Sequence, residues 1–297
     1  MASDPSSLRT DIVGPWAETK LDLNRRYLPA YMQIMVRQRD WCTGGVHYID
    51  GFAGTGQPVI RGEGRHIDGS PLIAMGLRQP FDSYTFIELS PWRAKQLRRL
   101  CAEFPHLNTQ VIEADCNAVI GNQVTPVVRW ERRARGFAFL DPFAMDLDYA
   151  TIKAIAGTGA IEVVLNLPTM AINRTGLPNE PRKLTASHYE RMDNIWGDRG
   201  WFALIYEERA GFWGPEFVKT ARTSTERLGR LFVEHRLKPL FPYVGEPLIV
   251  KNTTGQPIYS LIYASPSETG KKIADYVFST SQPVPPPAPA TLPLFQR

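Results

Sequence analysis

Apolar positions along the chain follow two rhythms. From Trp16 to about Arg39, Leu21, Leu23, Tyr27, Leu28, Tyr31, Met32, Ile34 and Met35 recur at helical spacing. This predicts one long helix, with a kink expected at Pro29. Short apolar runs then alternate with amphipathic stretches. Val46–Asp50, Tyr84–Leu89, Thr109–Glu113, Gly136–Asp141 and Ile161–Asn166 each read as a strand. Ser70-Pro71 has the form of a cap and first-turn proline for a helix from Leu72, and Pro91 opens another through about Phe104. Strands alternating with helices at this spacing predict a parallel sheet with right-handed crossovers.

The pattern changes after the fifth strand. Residues 175–243 are more polar, carry Trp196, Trp201 and Trp213, and read as a mostly helical insertion or lid with a helix from Pro215 to about His235. The three tryptophans read as core. Leu248–Lys251 and Pro257–Ala264 flank Thr253-Thr254-Gly255, a β-hairpin signal. A last helix spans about Ser267 to Phe278. The expected organisation is a flexible arm (1–12), one α/β domain (13–280) and an extended or disordered Pro-rich tail (281–297). Leu292-Pro293-Leu294-Phe295 in that tail is a candidate docking peptide.

Composition narrows the class. Of 297 residues, 43% are hydrophobic and 22% charged, enough apolar material for a large core and too much for general disorder. The net charge of +4 permits a nucleic-acid partner without requiring one. Cys42, Cys101 and Cys116 are far apart, which excludes a disulfide framework or a cysteine zinc site and fits a reducing, cytoplasmic setting. No apolar run approaches a membrane span, and no metal-ligand spacing occurs among the histidines, so no metal is expected.

The chemistry sits at the strand ends, where open α/β sheets bind ligands. The first carries Asp50-Gly51-Phe52-Ala53-Gly54-Thr55-Gly56. Its glycines let backbone approach a ligand closely. No helix begins directly behind the turn, as a pyrophosphate site needs, so a cofactor without phosphates fits better, with Asp50 facing an ammonium. Glu88 ends the second strand, where a carboxylate accepts from both ribose hydroxyls. Asp115, with Cys116 and Asn117 beside it, ends the third, as an adenine contact, a helix cap or both. Asp141-Pro142-Phe143 ends the fourth and is a partial match to the D/N-P-P-Y/F tetrapeptide of amino-methyltransferases, in which the polar group accepts from an exocyclic amine and the ring stacks on the base. Asn166-Leu167-Pro168-Thr169 on the fifth is a second partial match.

The order of five parallel strands and an antiparallel hairpin is the layout of class I S-adenosylmethionine-dependent methyltransferases, a Rossmann-like α/β fold. The chain further resembles the three-Cys-motif partner protein family (TcmP). The resemblance rests on Gly14-Pro15-Trp16 with Lys20 and Tyr27-Leu28, on Tyr48 through Gly56, Gly69-Ser70-Pro71-Leu72, Phe86-Ile87-Glu88, Phe139 through Phe143, Leu165 through Pro168, and Pro257 through Ile262. It implies a methyltransferase-like fold, S-adenosylmethionine as cofactor and a partner carrying a three-cysteine motif that is similar to radical-S-adenosylmethionine proteins. The expected activity is methyl transfer to an exocyclic amine of DNA or RNA. The alternatives are a non-catalytic or partner-dependent subunit, or a nuclease using two of Asp50, Glu88, Asp115 and Asp141 to hold magnesium. Arg129, Arg132, Arg133 and Arg135, around Trp130, read as a solvated basic edge, with phosphate contact as the alternative. Lys219, Arg222, Arg227, Arg230 and Arg236 give the lid a positive cast.

Overall fold

A strand that is apolar along its whole length needs cover on both faces, and the sheet provides it. The computed structural model describes residues 11–211, 214–220 and 224–280. The expected tail, most of the expected arm, Trp213 and Arg222 lie outside the described residues. The chain enters through β1 (Ile12–Val13), α1 (Ala17–Arg37), β2 (Val46–Asp50), β3 (Val59–Ile60) and α2 (Ser70–Met75). It continues through β4 (Ser83–Ile87), α3 (Pro91–Ala102), β5 (Thr109–Ile112), α4 (Cys116–Val119), β6 (Arg135–Leu140), α5 (Tyr149–Ala156) and β7 (Ile161–Leu167). The insertion holds α6 (Thr169–Ala171), α7 (Ala186–Trp196), α8 (Trp201–Ile205), β8 (Tyr206–Gly211), β9 (Gly214–Lys219) and α9 (Thr225–Phe232). β10 (Tyr243–Val244), β11 (Leu248–Lys251), β12 (Pro257–Ser265) and α10 (Glu268–Thr280) complete it.

The main sheet has the order β10-β12-β7-β6-β2-β4-β5, with β11 also on β12. β2 is parallel to both β4 and β6, β4 to β5, and β6 to β7. β12 inserts antiparallel, Ser260 opposite Leu167. This is the mostly parallel Rossmann-like α/β fold with an antiparallel C-terminal hairpin that the strand pattern predicts. The chain leaves β2 toward β4 and β5, then returns to its other side for β6 and β7. That reversal opens a crevice beyond the carboxyl end of β2.

Two cores flank the sheet. On one face α1, α2, α3 and α10 cover Tyr48, Tyr84, Phe86, Phe137 and Val164. On the other, residues of α4, α5, α7, α8 and α9 cover Ile49, Ile87, Ala138, Leu140 and Leu165. Trp196 and Trp201 belong to this second core, at 2% and 0% exposure. The first core is aromatic: Phe137 stacks on Tyr27 with centroids 5.5 Å apart and on Tyr48 at 6.1 Å, and lies 5.8 Å from Tyr31.

The insertion is mostly helical, with one departure from expectation: β8 and β9 form an antiparallel hairpin, and the helix expected from Pro215 begins only at Thr225. Pro215 fits a first helical position, but Ser224 is the true cap, accepting from Arg227 N at 3.1 Å. At the start of the chain, Ile12 and Val13 pair in parallel with Val59 and Ile60. α1 runs on through Pro29.

Phe137→Ala is expected to lower unfolding stability by about 3–5 kcal/mol, because it opens a cavity among three aromatic neighbours. Val127→Ala, at a side chain 48% exposed, stays within about 0.5 kcal/mol. Urea melts of the two variants check this. Similar losses in both would show that Phe137 is not part of a close-packed core.

Candidate functional site at the strand ends

The turn after β2 is built around its glycines. Gly54 and Gly56 have φ of +62° and +81°, the left-handed region that favours glycine. A Cβ on Gly51 would lie 2.7 Å from Cys116 Sγ and 2.8 Å from Leu140, so no larger residue fits. The backbone then threads between its neighbours: Gly51 N donates to Phe139 O and Ala53 N to Ile87 O, both at 3.0 Å.

Glu88 follows β4 directly and holds this turn from the side. Its Oε2 accepts from Gly54 N at 2.9 Å and its Oε1 from Ser90 N at 2.8 Å. A carboxylate oxygen has two lone pairs, so each retains acceptor capacity. Asp11 holds the other side: its Oδ2 accepts from Thr55 N and Thr55 Oγ1 at 3.2 and 3.3 Å, and it pairs with Arg93 at 3.2 Å. Behind Gly56 the chain forms β3 and a loop. Gly69 N returns to Gly56 O at 2.8 Å, and α2 begins only at Ser70.

Asp50 is enclosed completely, at 0% exposure. Phe52 N and Tyr48 Oη each donate to it at 3.3 Å. Phe52, half-buried, packs on the core beneath. Asp50 thus supports the turn from below, and its carboxylate does not line the crevice. Desolvation pushes its pKa up to about 7, against the opposing hydrogen bonds from Ser70 and Phe52, and the nearby Asp141 charge adds to the rise.

Asp115 caps α4, its Oδ1 accepting from Asn117 N at 2.6 Å and Ala118 N at 3.3 Å. Cys116 is buried against Gly51, and burial raises its thiol far above the ordinary range. Asn117 Oδ1 accepts from Asp148 N and Thr151 Oγ1 at 2.9 and 2.7 Å, tying this corner to α5.

Asp141 stands next to these groups, just past the end of β6. Asn166, on the neighbouring β7, donates Nδ2 to Asp141 Oδ1 at 2.6 Å, and its own Oδ1 is buried without a hydrogen-bond partner. Lys20 of α1 forms an ion pair with Asp141 Oδ2 and lies 5.6 Å from the ring centroid of Tyr259. Pro142 is buried, but Phe143 is 80% exposed and the next residue, Ala144, has φ +55°. Leu89, beside Glu88, is 68% exposed. The carboxyl edge therefore presents apolar side chains beside buried polar ones.

Gly51, Phe52, Gly54, Glu88, Asp141 and Asn166 come together around the crevice, whereas Asp50, expected to face an ammonium there, is enclosed beneath the turn. Asp115 and Cys116 form its far corner, and Gly56 packs away from it against Leu97 and Leu100 of α3. Asp11 and Lys20 join the site without a local sequence signal. A proline-containing helix and a polar start give no sign in themselves of reaching strand ends far along the chain. Among the described residues, no group of three His, Cys, Asp or Glu is placed to hold a metal ion, and no helix is long and apolar enough to cross a membrane. Part of the lid's charge is already engaged. Lys219 donates to Asn173 Oδ1 and Leu177 O, burial drawing its pKa down to about 8, and Arg236 pairs with Asp198.

No family model matches the chain, and no curated protein matches it in sequence. It is similar to solved structures at low identity. The putative methyltransferase yhhF from Escherichia coli is 14% identical, over 74% of this chain and 76% of that one, with a TM-score of 0.33. Trm1 from Pyrococcus horikoshii, solved with S-adenosyl-L-methionine, is 10% identical over 87% of this chain and 58% of that one, at 0.41. The N-terminal domain of EvdMO1, solved with SAH and D-fucose, is 8% identical over 79% and 82%, at 0.38. Likenesses this distant say nothing of chemistry.

The Asp50 carboxyl gives a pH signature. An unfolded aspartate titrates near 3.9. Between that value and about 7 the native state holds a proton that the unfolded state has released, so stability falls as pH rises. The slope reaches about 1.4 kcal/mol per pH unit. Asp50→Asn has no such proton. Urea melts at pH 5 and pH 7 should show wild type losing stability relative to the variant as pH rises. A constant difference between the two would show that Asp50 is ionised throughout.

Proposed function

We propose that this chain binds S-adenosylmethionine beyond the carboxyl ends of β2, β4 and β5 and transfers its methyl group to an exocyclic amine of a nucleic acid. One observation carries the cofactor reading: a glycine turn fastened by the carboxylate of Glu88 with no helix starting behind it. A pyrophosphate needs the free amides of a helix N-terminus, and α2 begins only at Ser70. A ribose needs a carboxylate with acceptor capacity, which Glu88 retains.

The residues fit such a group. Gly54 leaves backbone open at the crevice, Glu88 accepts from the ribose hydroxyls, Leu89 offers an apolar face to the base, and Asp115 with Cys116 forms the corner beyond it. Asp50 positions the turn from beneath. When bound, the cofactor supplies an electrophilic methyl on a sulfonium. The chain's own contribution is orientation of the acceptor. Asp141 and the unpartnered Oδ1 of Asn166 accept from an amine N–H, and the exposed Phe143 ring stacks on a base. The net charge of +4 favours a phosphate-bearing substrate.

The three-Cys-motif partner resemblance supports a second component, a protein with that motif. A specific observation favours partner dependence: the Lys20 ammonium already occupies Asp141, and a substrate amine needs that pair opened.

Calorimetric titration of S-adenosylmethionine and S-adenosylhomocysteine is expected to give micromolar binding. Gly54→Arg, which fills the turn, abolishes it, and Glu88→Ala weakens it by at least about 10-fold, the value of a charge-assisted hydrogen bond. Unchanged affinity in both variants places the cofactor elsewhere. No binding by the chain alone, or with its co-purified partner, overturns the cofactor reading. Asp141→Ala is expected to abolish methyl transfer to DNA or RNA while leaving cofactor affinity within a few fold. Loss of cofactor binding in this variant instead assigns Asp141 to the cofactor pocket.

A further inference from the structure

At the opposite end of the sheet, where β6 and β7 begin, lies a cavity of about 280 Å³. Arg135 of β6 and Glu162 of β7 line it, with Tyr27 and Tyr31 of α1 and the first turn of α10. It shares none of these residues with the crevice at the carboxyl ends.

The polar groups facing it are unequally engaged. Glu162, 5% exposed, is already served: Tyr263 Oη donates to its Oε2 at 2.6 Å, and Tyr27 Oη donates to the same oxygen. Arg135 is not. Its guanidinium lies 4.3 Å from the ring centroid of Trp41 and 3.9 Å from that of Trp130. Nη1 donates to Ala134 O at 2.9 Å, and the Glu162 carboxylate acts on its charge from across the cavity without a direct hydrogen bond. Tyr31, 2% exposed, has its hydroxyl buried with no hydrogen-bond partner. A buried hydroxyl without a partner is costly, and the half-buried guanidinium keeps donor capacity that an acceptor can take.

What the cavity lacks is therefore an acceptor. Planar guanidinium donors match a carboxylate in a bidentate fork, and the start of a helix favours negative charge. The Glu162 carboxylate in the same space disfavours a multiply charged anion such as phosphate. Ile34, Met35 and Pro266 on the walls accommodate an apolar body. The volume is near the lower end for small-molecule sites, roughly 300–1,000 Å³.

We infer that this cavity is a second ligand site, which takes a small organic monocarboxylate, its carboxylate on Arg135 and the Tyr31 hydroxyl. The site does not depend on the proposed methyl transfer.

Acetate, benzoate and inorganic phosphate, titrated separately into the full chain by calorimetry and by tryptophan fluorescence, test this. Benzoate is expected to saturate at millimolar concentration or below and to perturb the emission of the tryptophans under Arg135. Arg135→Gln should weaken it at least about 10-fold, and Tyr31→Phe about 3- to 10-fold. Tyr31→Phe keeps the ring and removes an unpaired hydroxyl, so its melting temperature should be unchanged or higher, which separates a ligand role from a structural one. Glu88→Ala should bind benzoate as wild type does, whatever happens to S-adenosylmethionine. Phosphate binding without benzoate binding, saturation by neither carboxylate, or full affinity in both cavity variants would each overturn the assignment.

Discussion

A carboxylate buried near the start of an interior strand constrains everything around it. Glu162 sits on β7 where neighbouring residues are apolar, and its burial penalises the charge heavily, raising its pKa. Tyr27 from α1 and Tyr263 from β12 offset that penalty by donating to it, and their hydroxyls lie 2.8 Å from each other. The contact therefore sets the register of the long first helix against the sheet. Seven residues before Tyr27, Lys20 is carried to Asp141 at the carboxyl ends. One turn after it, Tyr31 is carried into the cavity at the amino ends. One buried acid thus places α1 at both ends of the sheet.

The crevice shows a division of labour that follows from burial. Its most enclosed acid, Asp50, positions backbone. Glu88, also largely buried, both holds Gly54 and keeps acceptor capacity. Asp141 is held by one cation and one amide, an arrangement that fixes its direction while leaving the Asn166 oxygen orphaned. Four acids near one another would repel if all pointed to one spot. Here Asp50, Glu88, Asp115 and Asp141 are each turned to a different donor.

Much of this was legible in the sequence because it is written locally. The glycine turn, the acid directly after β4 and the Asp-Pro-Phe after β6 follow strands whose apolar runs are unmistakable, and the C-terminal hairpin announces itself through Gly255, with φ +79°. The β9 segment reads as helix because Pro215 fits a helix start, while the stronger cap, Ser224, comes nine residues later. Arg135 belongs to a run of arginines that reads as a solvated edge; only the fold brings Trp41 beneath it. Asp11 and Lys20 act across 44 and 121 residues, a distance over which periodicity carries no information.

The Tyr27–Tyr263 contact joins residues 236 apart. Chains rich in such non-local pairings fold slowly. During synthesis α1 emerges more than 200 residues before the strand that fixes it, β12. Until then Tyr27 and Tyr31 have Phe137 to pack on but Tyr27 lacks Tyr263, and apolar surface left open in this way is prone to aggregation. The order in which the ribosome delivers the chain is thus opposed to the order in which the fold can close, and the interval between the two is the stage at which this protein is most exposed to chaperones and to misassembly.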